Sequence, residues 1–401
     1  MSTRSLEHIL NVEDARLAAK SRLPHGLFEY VDRGAEDETS IISNRAQLDA
    51  IRLSPLALVD VTERSVSANI LGRTRPLPFA IAPTAVAGLV WFDGEIELAK
   101  AAASAGIPFC VSTQSITAIE RIAAASDAEL WFQLYVWRNR QRMFALVDRA
   151  WAAGAQTLVL TVDNPVTPNR EYNRRNGFGI PLRVSARAGL GVLLHPRWAF
   201  TVMLRALITS GIAPEFRTRL GRISVSDELA FATDVTWDDV HELRRRWPGK
   251  LVLKGIFRPD DALRARSCGV DAIVVSNHGG RNLDSAPGPV EVLPAIADAV
   301  SDSIEVLADS GVRRGADIAR LMSLGATGVL VGRATLYGLA CGGVHGARRV
   351  IDILGHELIT TMGFIGATSL EQLKGRSFLH QRLASPVTAA DPHETGEIDH
   401  G

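Results

Sequence analysis

A histidine, two glycines and an arginine stand together in Ser-Asn-His-Gly-Gly-Arg-Asn-Leu-Asp, residues 276–284. His278 offers a ring nitrogen that can take a proton from an alcohol, and Arg281 a planar cation suited to a carboxylate. Two more glycine–arginine segments follow, Asp-Ser-Gly-Val-Arg-Arg-Gly at 309–315 and Gly-Arg-Ala at 332–334. Glycines let backbone N–H groups approach a phosphate closely, while arginine supplies the charge. Singly, each segment is equally well explained as a glycine turn beside a surface arginine. Their joint position on a fold decides between the two readings.

From residue 78 short apolar runs alternate with amphipathic stretches. The runs 78–84, 108–113, 130–135, 157–163, 250–256, 272–277, 304–310 and 328–333 predict eight parallel strands, because strands covered on both faces read as continuous apolar segments. Between them, segments such as 95–106, 260–269 and 316–325 carry helical periodicity and end on glycine, a usual helix stop. Eight such units predict an α/β fold of the (β/α)₈ barrel type, with an open doubly wound sheet as the alternative. Gln133, Asp163, Lys254, Asn277 with His278, Asp309 and Arg333 fall at or just past C-terminal strand ends. In a barrel those ends converge on one mouth where active sites are built, and the loops after strands seven and eight form the usual phosphate site. The chain reads as one domain over 1–384, with the barrel at about 78–350 behind a mostly helical segment. A long insertion at about 164–236 interrupts it after the fourth strand, and a polar, flexible tail occupies 385–401.

Composition narrows the function classes. The 401 residues hold 44 Lys plus Arg against 44 Asp plus Glu, a balance that argues against a nucleic-acid partner. A hydrophobic share of 46% supplies a large core. Cys110, Cys268 and Cys341 have neither metal-ligand spacing nor an even count, so no metal is expected and a reducing, cytoplasmic setting is. The charged N-terminus lacks the apolar core of a leader peptide, and no stretch reaches the roughly 18 uninterrupted apolar residues of a spanning helix. Gly-Leu-Gly-Val-Leu-Leu at 189–194 lacks the third glycine and the preceding strand of a dinucleotide fingerprint, which sets aside a nicotinamide dehydrogenase.

RLPHGLFEYVDRGAEDE (22–38), ELWFQLY (129–135), LHPRW (194–198), SNHGGRNLD (276–284) and VGRATLYGLA (331–340) resemble the FMN-dependent L-2-hydroxy-acid oxidases and dehydrogenases, which act on glycolate, lactate or mandelate. The resemblance runs over about residues 11–380 and is strongest toward the bacterial (S)-mandelate dehydrogenase branch. It implies FMN as cofactor, a small 2-hydroxy acid as substrate, its 2-oxo acid as product, and a homo-oligomer, a tetramer in the family. His278 matches the family's base, and Asp163 the carboxylate that orients it. Arg281 and Arg170 match the pair that clamps the substrate carboxylate, assisted by Tyr30, while Tyr135 resembles the tyrosine that bonds the reacting oxygen. Lys254 resembles the lysine beside flavin N1, where negative charge accumulates on reduction. Ala82, Pro83, Thr84, Ala85, Ser112, Gln133, Thr161 and Ser276 resemble contacts to the isoalloxazine and ribityl, and Asp309, Gly311, Arg313, Gly332 and Arg333 those to ribityl and phosphate. Hydride transfer and proton abstraction to a carbanion both use His278 as the base.

Three features bear on donor and acceptor. Ala85 stands where quinone-linked members resemble one another in having glycine and oxidases tend to have alanine, so quinone and oxygen both stay open as acceptors. Gln114 occupies a pocket position usually apolar or aromatic in the family, where its amide meets a polar group of the substrate or points into its loop. The insertion carries seven arginines against one acid, Glu215, between 181 and 222. Apolar residues among arginines fit a peripheral contact with an anionic membrane on the inner face of the cell; a lid helix or a subunit contact is the alternative. The expected reaction is oxidation of (S)-mandelate or a related aromatic or bulky hydroxy acid. An L-lactate or glycolate oxidase yielding hydrogen peroxide is the first alternative, and a silent flavin-binding protein the remote one.

Overall fold

The computed structural model describes residues 6–177, 186–210, 230–374 and 378–379. The chain opens with helices α1 (Val12–Arg22), α2 (His25–Asp32) and α3 (Thr39–Ala50). It then forms an antiparallel pair, β1 (Ala68–Ile70) and β2 (Arg73–Arg75). This pair departs from the helical expectation for the segment before the barrel. Its two-residue turn is Leu71-Gly72, both at positive φ (53° and 78°), the backbone that matches the right-handed twist of a tight hairpin. The hairpin tip plugs the barrel: Ile70 and Leu71 are buried against the interior side chains Ala80, Cys110, Trp131, Val159, Val252 and Leu307.

Eight parallel strands follow: β3 (Phe79–Ile81), β4 (Phe109–Ser112), β5 (Leu130–Leu134), β6 (Thr157–Thr161), β7 (Lys250–Ile256), β8 (Ala272–Val275), β9 (Glu305–Ala308) and β10 (Gly328–Val331). Each lies inside one of the predicted apolar runs. β10 pairs with β3 through Val329↔Phe79, Leu330↔Ala80 and Val331↔Ile81, which closes the barrel and excludes the open sheet. Alternate residues point inward to the plug and outward to the helices, where Phe79, Ile81, Leu158 and Leu253 join the larger core.

Of the insertion, residues 164–177, 186–210 and 230–236 are described, and Glu171–Asn176 and Ala186–Ser210 are largely helical. Residues 178–185 and 211–229, and with them four of the seven arginines (Arg183, Arg217, Arg219 and Arg222), lie outside the described residues, as does the expected tail. Trp198 docks the described part on the barrel by donating its indole N–H to Leu89 O at 2.8 Å. Arg205 lies 4.6 Å from the centre of the Phe92 ring.

Candidate active site

Beyond β8 the chain runs through three left-handed residues, His278 (φ 58°), Gly279 (68°) and Gly280 (73°). A β-carbon at Gly280 would come within 2.7 Å of Ile41 N, so that position admits glycine alone. A histidine held at positive φ costs on the order of 1–3 kcal/mol, and such strain persists only where the surroundings impose it. Here they do. Ser276 Oγ accepts from His278 N at 3.1 Å, Ser310 Oγ from Gly279 N at 3.0 Å, and the side-chain amides of Asn277 and Asn44 pair reciprocally at 2.9 and 2.8 Å.

The imidazole is thereby aimed. Nδ1 lies 3.0 and 3.2 Å from the two carboxylate oxygens of Asp163, and Nε2 lies 3.4 Å from the Tyr135 hydroxyl. A carboxylate can only accept, so Nδ1 carries the proton and Nε2 presents a lone pair. Burial pushes the His278 pKa below its ordinary value, with Lys254 and Arg170 adding to the effect against the pull of Asp163. The ring is therefore neutral near pH 7 and ready to accept a proton. Burial works against ionisation of Asp163 too, but at the low pH where a carboxyl titrates the His278 imidazolium and its hydrogen bond, with the Lys254 charge, outweigh it and keep the carboxyl below its usual range. Asn282 Nδ2 donates to Asp163 O at 2.8 Å and to Oδ1 at 3.2 Å.

The guanidinium groups of Arg170, Arg281, Arg313 and Arg333 converge on the same mouth. None forms an ion pair with a carboxylate among the described residues. Arg170 Nε donates to Arg281 O at 3.1 Å. Arg281 uses Nη1 on the carbonyls of Tyr30 and Arg33 at 2.8 and 2.9 Å, and its charge lies 5.3 Å from the Tyr30 ring centre. Burial, reinforced by neighbouring arginines, pushes Arg281 down to about 9 and Arg333 down to about 10. Cations desolvated to this degree without a counter-charge are built for anionic ligands.

At the centre of the mouth, Lys254 Nζ is 3.0 Å from Asp309 Oδ2 and donates to Ser276 Oγ at 2.6 Å. Burial opposes the lysine's charge, yet Asp309 and Asp163 raise its pKa overall, so it stays a cation. Gln133 Nε2 donates to Thr161 Oγ1 at 3.1 Å, and Ser112 Oγ to Gln133 Oε1 at 3.2 Å. The Thr84 hydroxyl is buried with no partner among the described residues. These groups border a cavity of about 1010 Å³, at the upper end of the usual range for small-molecule sites. A lone buried hydroxyl, a chain of strand-end amides and hydroxyls, a central cation and two arginines by the β9 and β10 loops fit a polar heterocycle carrying a phosphate. FMN is such a molecule.

All but one of the expected cofactor positions line that cavity; Ser276 stands outside it and supports Lys254 and His278 instead. Tyr30, Gln114, Tyr135, Arg170 and Arg281 line it as well, and Asp163 sits behind His278. Sequence reasoning missed Asn282, Ser310, Asn44 and Phe231. The first two stand inside the recognised segments 276–284 and 309–315 and were within reach. Phe231, whose ring centre is 4.6 Å from that of Tyr135, comes from the far end of the insertion and gives no local signal.

Known proteins bear on this geometry. The family model described as FMN-dependent dehydrogenase matches residues 19–381. A Mycobacterium tuberculosis protein provisionally named an L-lactate dehydrogenase is 42% identical over 97% of this chain and 93% of its own. The L-lactate dehydrogenase of Caulobacter vibrioides is 40% identical over 91% and 96%. Among solved structures, (S)-mandelate dehydrogenase, described as a monotopic membrane protein, superposes with a TM-score of 0.86 at 38% identity, covering 94% of this chain and 100% of the other. A mandelate oxidase gives 0.78 at 34% identity, over 93% and 98%. The chain belongs to the FMN-dependent dehydrogenase family and is an FMN enzyme acting on the CH–OH group of 2-hydroxy acids.

Proposed function

We propose that the chain oxidises (S)-mandelate or a related aromatic or bulky L-2-hydroxy acid and passes the electrons to a quinone at a membrane surface. The substrate class rests on the wall of the cavity. The space that holds His278, Arg170 and Arg281 is also bordered by Phe231, Val166 and Ala230, with Phe231 packed on Tyr135. An aryl side chain finds apolar surface there, whereas glycolate has no side chain to meet it.

In this reading Arg281 and Arg170 grip the substrate carboxylate, Tyr30 assists them, and Tyr135 bonds the reacting oxygen. His278 Nε2 accepts a proton in the oxidation, and Asp163 stabilises the imidazolium that results. FMN supplies the two-electron acceptor when bound. Lys254 provides a fixed positive charge toward it, and Arg313 and Arg333 hold its phosphate. Ala82, Pro83, Thr84, Ala85, Ser112, Gln133, Thr161, Asp309, Gly311 and Gly332 shape the rest of its site.

The membrane side of the proposal rests on the insertion. Phe200, Leu204 and Ile208 are spaced four apart and are 65%, 41% and 74% exposed, and Leu193 and Leu194 are 77% and 68% exposed. Trp198 and Val202 are buried on the other side, 7% and 3% exposed. A helical segment apolar on both faces, with one face already on the barrel, offers the other to lipid. No described helix is long and apolar enough to cross a membrane. Arginines around the segment each add on the order of 1 kcal/mol near an anionic surface.

A second reading, L-lactate oxidised with oxygen to give hydrogen peroxide, is favoured by the L-lactate dehydrogenase names of the relatives and by the Ala85 methyl at the cavity. One experiment separates the two. Anaerobic flavin bleaching is compared for (S)-mandelate, 4-hydroxymandelate, L-lactate and glycolate, followed by reoxidation with oxygen or a quinone analogue. Preferential bleaching by the aromatic acids and faster reoxidation by quinone are expected. Fastest bleaching by lactate with rapid oxygen turnover would install the second reading. For the insertion, the intact protein is expected to sediment with anionic liposomes at low salt and to be released as salt rises. Replacing 181–222 by a short polar loop should abolish sedimentation while bleaching survives. Absence of liposome binding by the intact protein would remove the membrane role.

A further inference from the structure

The helix α2 does more than carry Tyr30. A helix end leaves its last carbonyls without intrahelical partners, and these bear the negative end of the helix dipole. In α2 they are taken by two site arginines. Arg281 Nη1 donates to Tyr30 O at 2.8 Å and to Arg33 O at 2.9 Å. Arg333 donates from Nε to Val31 O at 3.1 Å and from Nη2 to Arg33 O at 3.2 Å. One carbonyl, that of Arg33, thus serves both the arginine at the substrate end of the cavity and the arginine at its phosphate end. Arg333 Nη1 also donates to Gly279 O at 2.8 Å, next to His278.

What fixes α2 at that point is Asp32, its last residue. Its carboxylate accepts from Arg16 Nε and Nη2 on α1 at 2.7 and 2.6 Å, and from the Tyr337 hydroxyl at 2.6 Å. Tyr337 lies one turn beyond Arg333 in the helix Arg333–Ile365, and its ring centre is 5.5 Å from the Arg313 guanidinium. The group is built as an anion: burial disfavours its charge, but the Arg16 and Tyr337 hydrogen bonds and the charges of Arg16 and Arg333 overcome this and hold its pKa below the ordinary value. Asp32 is not among the residues that line the cavity. Among the described residues it reaches the site through α2 and the Arg333–Tyr337 turn, and its charge also acts directly on Arg333.

We propose that Asp32 is a positioning residue that sets Arg281 and Arg333 together through the carboxyl end of α2, so that substrate carboxylate and cofactor phosphate bind cooperatively. The proposal rests on the assignment of Arg281 and Arg333 under the proposed function. A phosphate that orders Arg333 fixes the Arg33 carbonyl, and that carbonyl orients Arg281. Linkage is reciprocal, so a bound carboxylate must retain the phosphate-bearing flavin by the same factor.

The test follows FMN release from the holoenzyme on dilution, with and without saturating benzoylformate, a 2-oxo acid that oxidised flavin leaves unchanged. Wild type should hold FMN roughly tenfold more tightly with the carboxylate, within the usual 5–150-fold span of such couplings. Riboflavin, which lacks the phosphate, should gain much less. In Asp32→Asn the tenfold gain should shrink toward one, and KM for the hydroxy acid should rise by more than the limiting rate of flavin reduction falls. Asp32→Glu should restore part of both. If Asp32→Asn does not fold, Tyr337→Phe, which removes one of the three contacts, should shift the coupling in the same direction by a smaller factor. A wild-type release rate indifferent to benzoylformate would overturn the proposal. So would an Asp32→Asn enzyme that melts earlier yet keeps the wild-type coupling and KM, the result a purely structural residue gives. Flavin release and flavin bleaching are separate readouts, so a protein that is bleached but shows no coupling loses this inference alone. A protein that no hydroxy acid bleaches loses the underlying reading.

Discussion

His278→Asn is expected to leave FMN bound and to slow its reduction by substrate at least ~10²–10⁴-fold, the usual contribution of a general base. The loss should lie toward the upper end, because the same ring organises its surroundings. Nδ1 holds Asp163 at 3.0 Å and Nε2 faces Tyr135 at 3.4 Å, so the variant loses both the proton acceptor and the contact that orients it. Flavin retention should be near normal, since the proposed function assigns the phosphate to Arg313, Arg333 and the glycines beyond β9 and β10 rather than to His278. The wild-type pH profile supplies an independent check. A base must be unprotonated in the free enzyme, and burial lowers the His278 pKa below the ordinary histidine value of about 6.5. The reductive kcat/KM should therefore be flat at neutral pH and fall only as the solution is acidified below about 6.5. Stopped-flow reduction of the variant within tenfold of wild type, or a profile that falls from neutral pH upward, would contradict the assignment.

Arg281→Met should cost nearly as much, by a different route. Its Nη1 is committed to two backbone carbonyls, and no carboxylate of the described residues pairs with the guanidinium. A substrate carboxylate is then the counter-charge that this desolvated cation meets. Removing one partner of a buried, hydrogen-bonded charge pair costs about 2–5 kcal/mol, roughly 30- to 5,000-fold in kcat/KM. Arg170, anchored to Arg281 O and Asn282, remains to bear part of the load, which places the expectation inside that range. The methyl ester gives the sharper comparison. Wild type should strongly prefer the acid, whereas Arg281→Met should treat acid and ester nearly alike. Equal turnover of ester and acid by wild type would show that no carboxylate clamp operates.

Both residues were legible in the sequence for a physical reason. Strands buried on both faces must be apolar throughout, so a polar residue at a strand end is conspicuous, and Gln133, Asp163, Lys254 and Asp309 stood out against their runs. The glycines after β8 were conspicuous too, because the backbone there turns left-handed and Gly280 lies against Ile41. The hairpin β1–β2 was hidden by its shortness and by the arginines that flank its turn. Contacts made by main-chain atoms left no trace at all. Nothing in the letters around Arg33 announces a carbonyl shared by Arg281 and Arg333, residues 248 and 300 positions away. Asn44 likewise reaches Asn277 across 233 residues. Ser276 was expected at the cofactor from its place in a recognised motif; its hydroxyl is engaged by Lys254 and by the His278 amide, partners that the letters alone did not indicate.

The most direct measurement is an anaerobic titration of the purified yellow protein with (S)-mandelate, following flavin absorbance and the 2-oxo acid formed. The account predicts that the flavin is bleached, that one 2-oxo acid appears per flavin reduced, and that the R enantiomer and the His278→Asn variant bleach it at a small fraction of that rate. A flavin that stays yellow with (S)-mandelate, L-lactate and glycolate alike, while remaining bound, would contradict it.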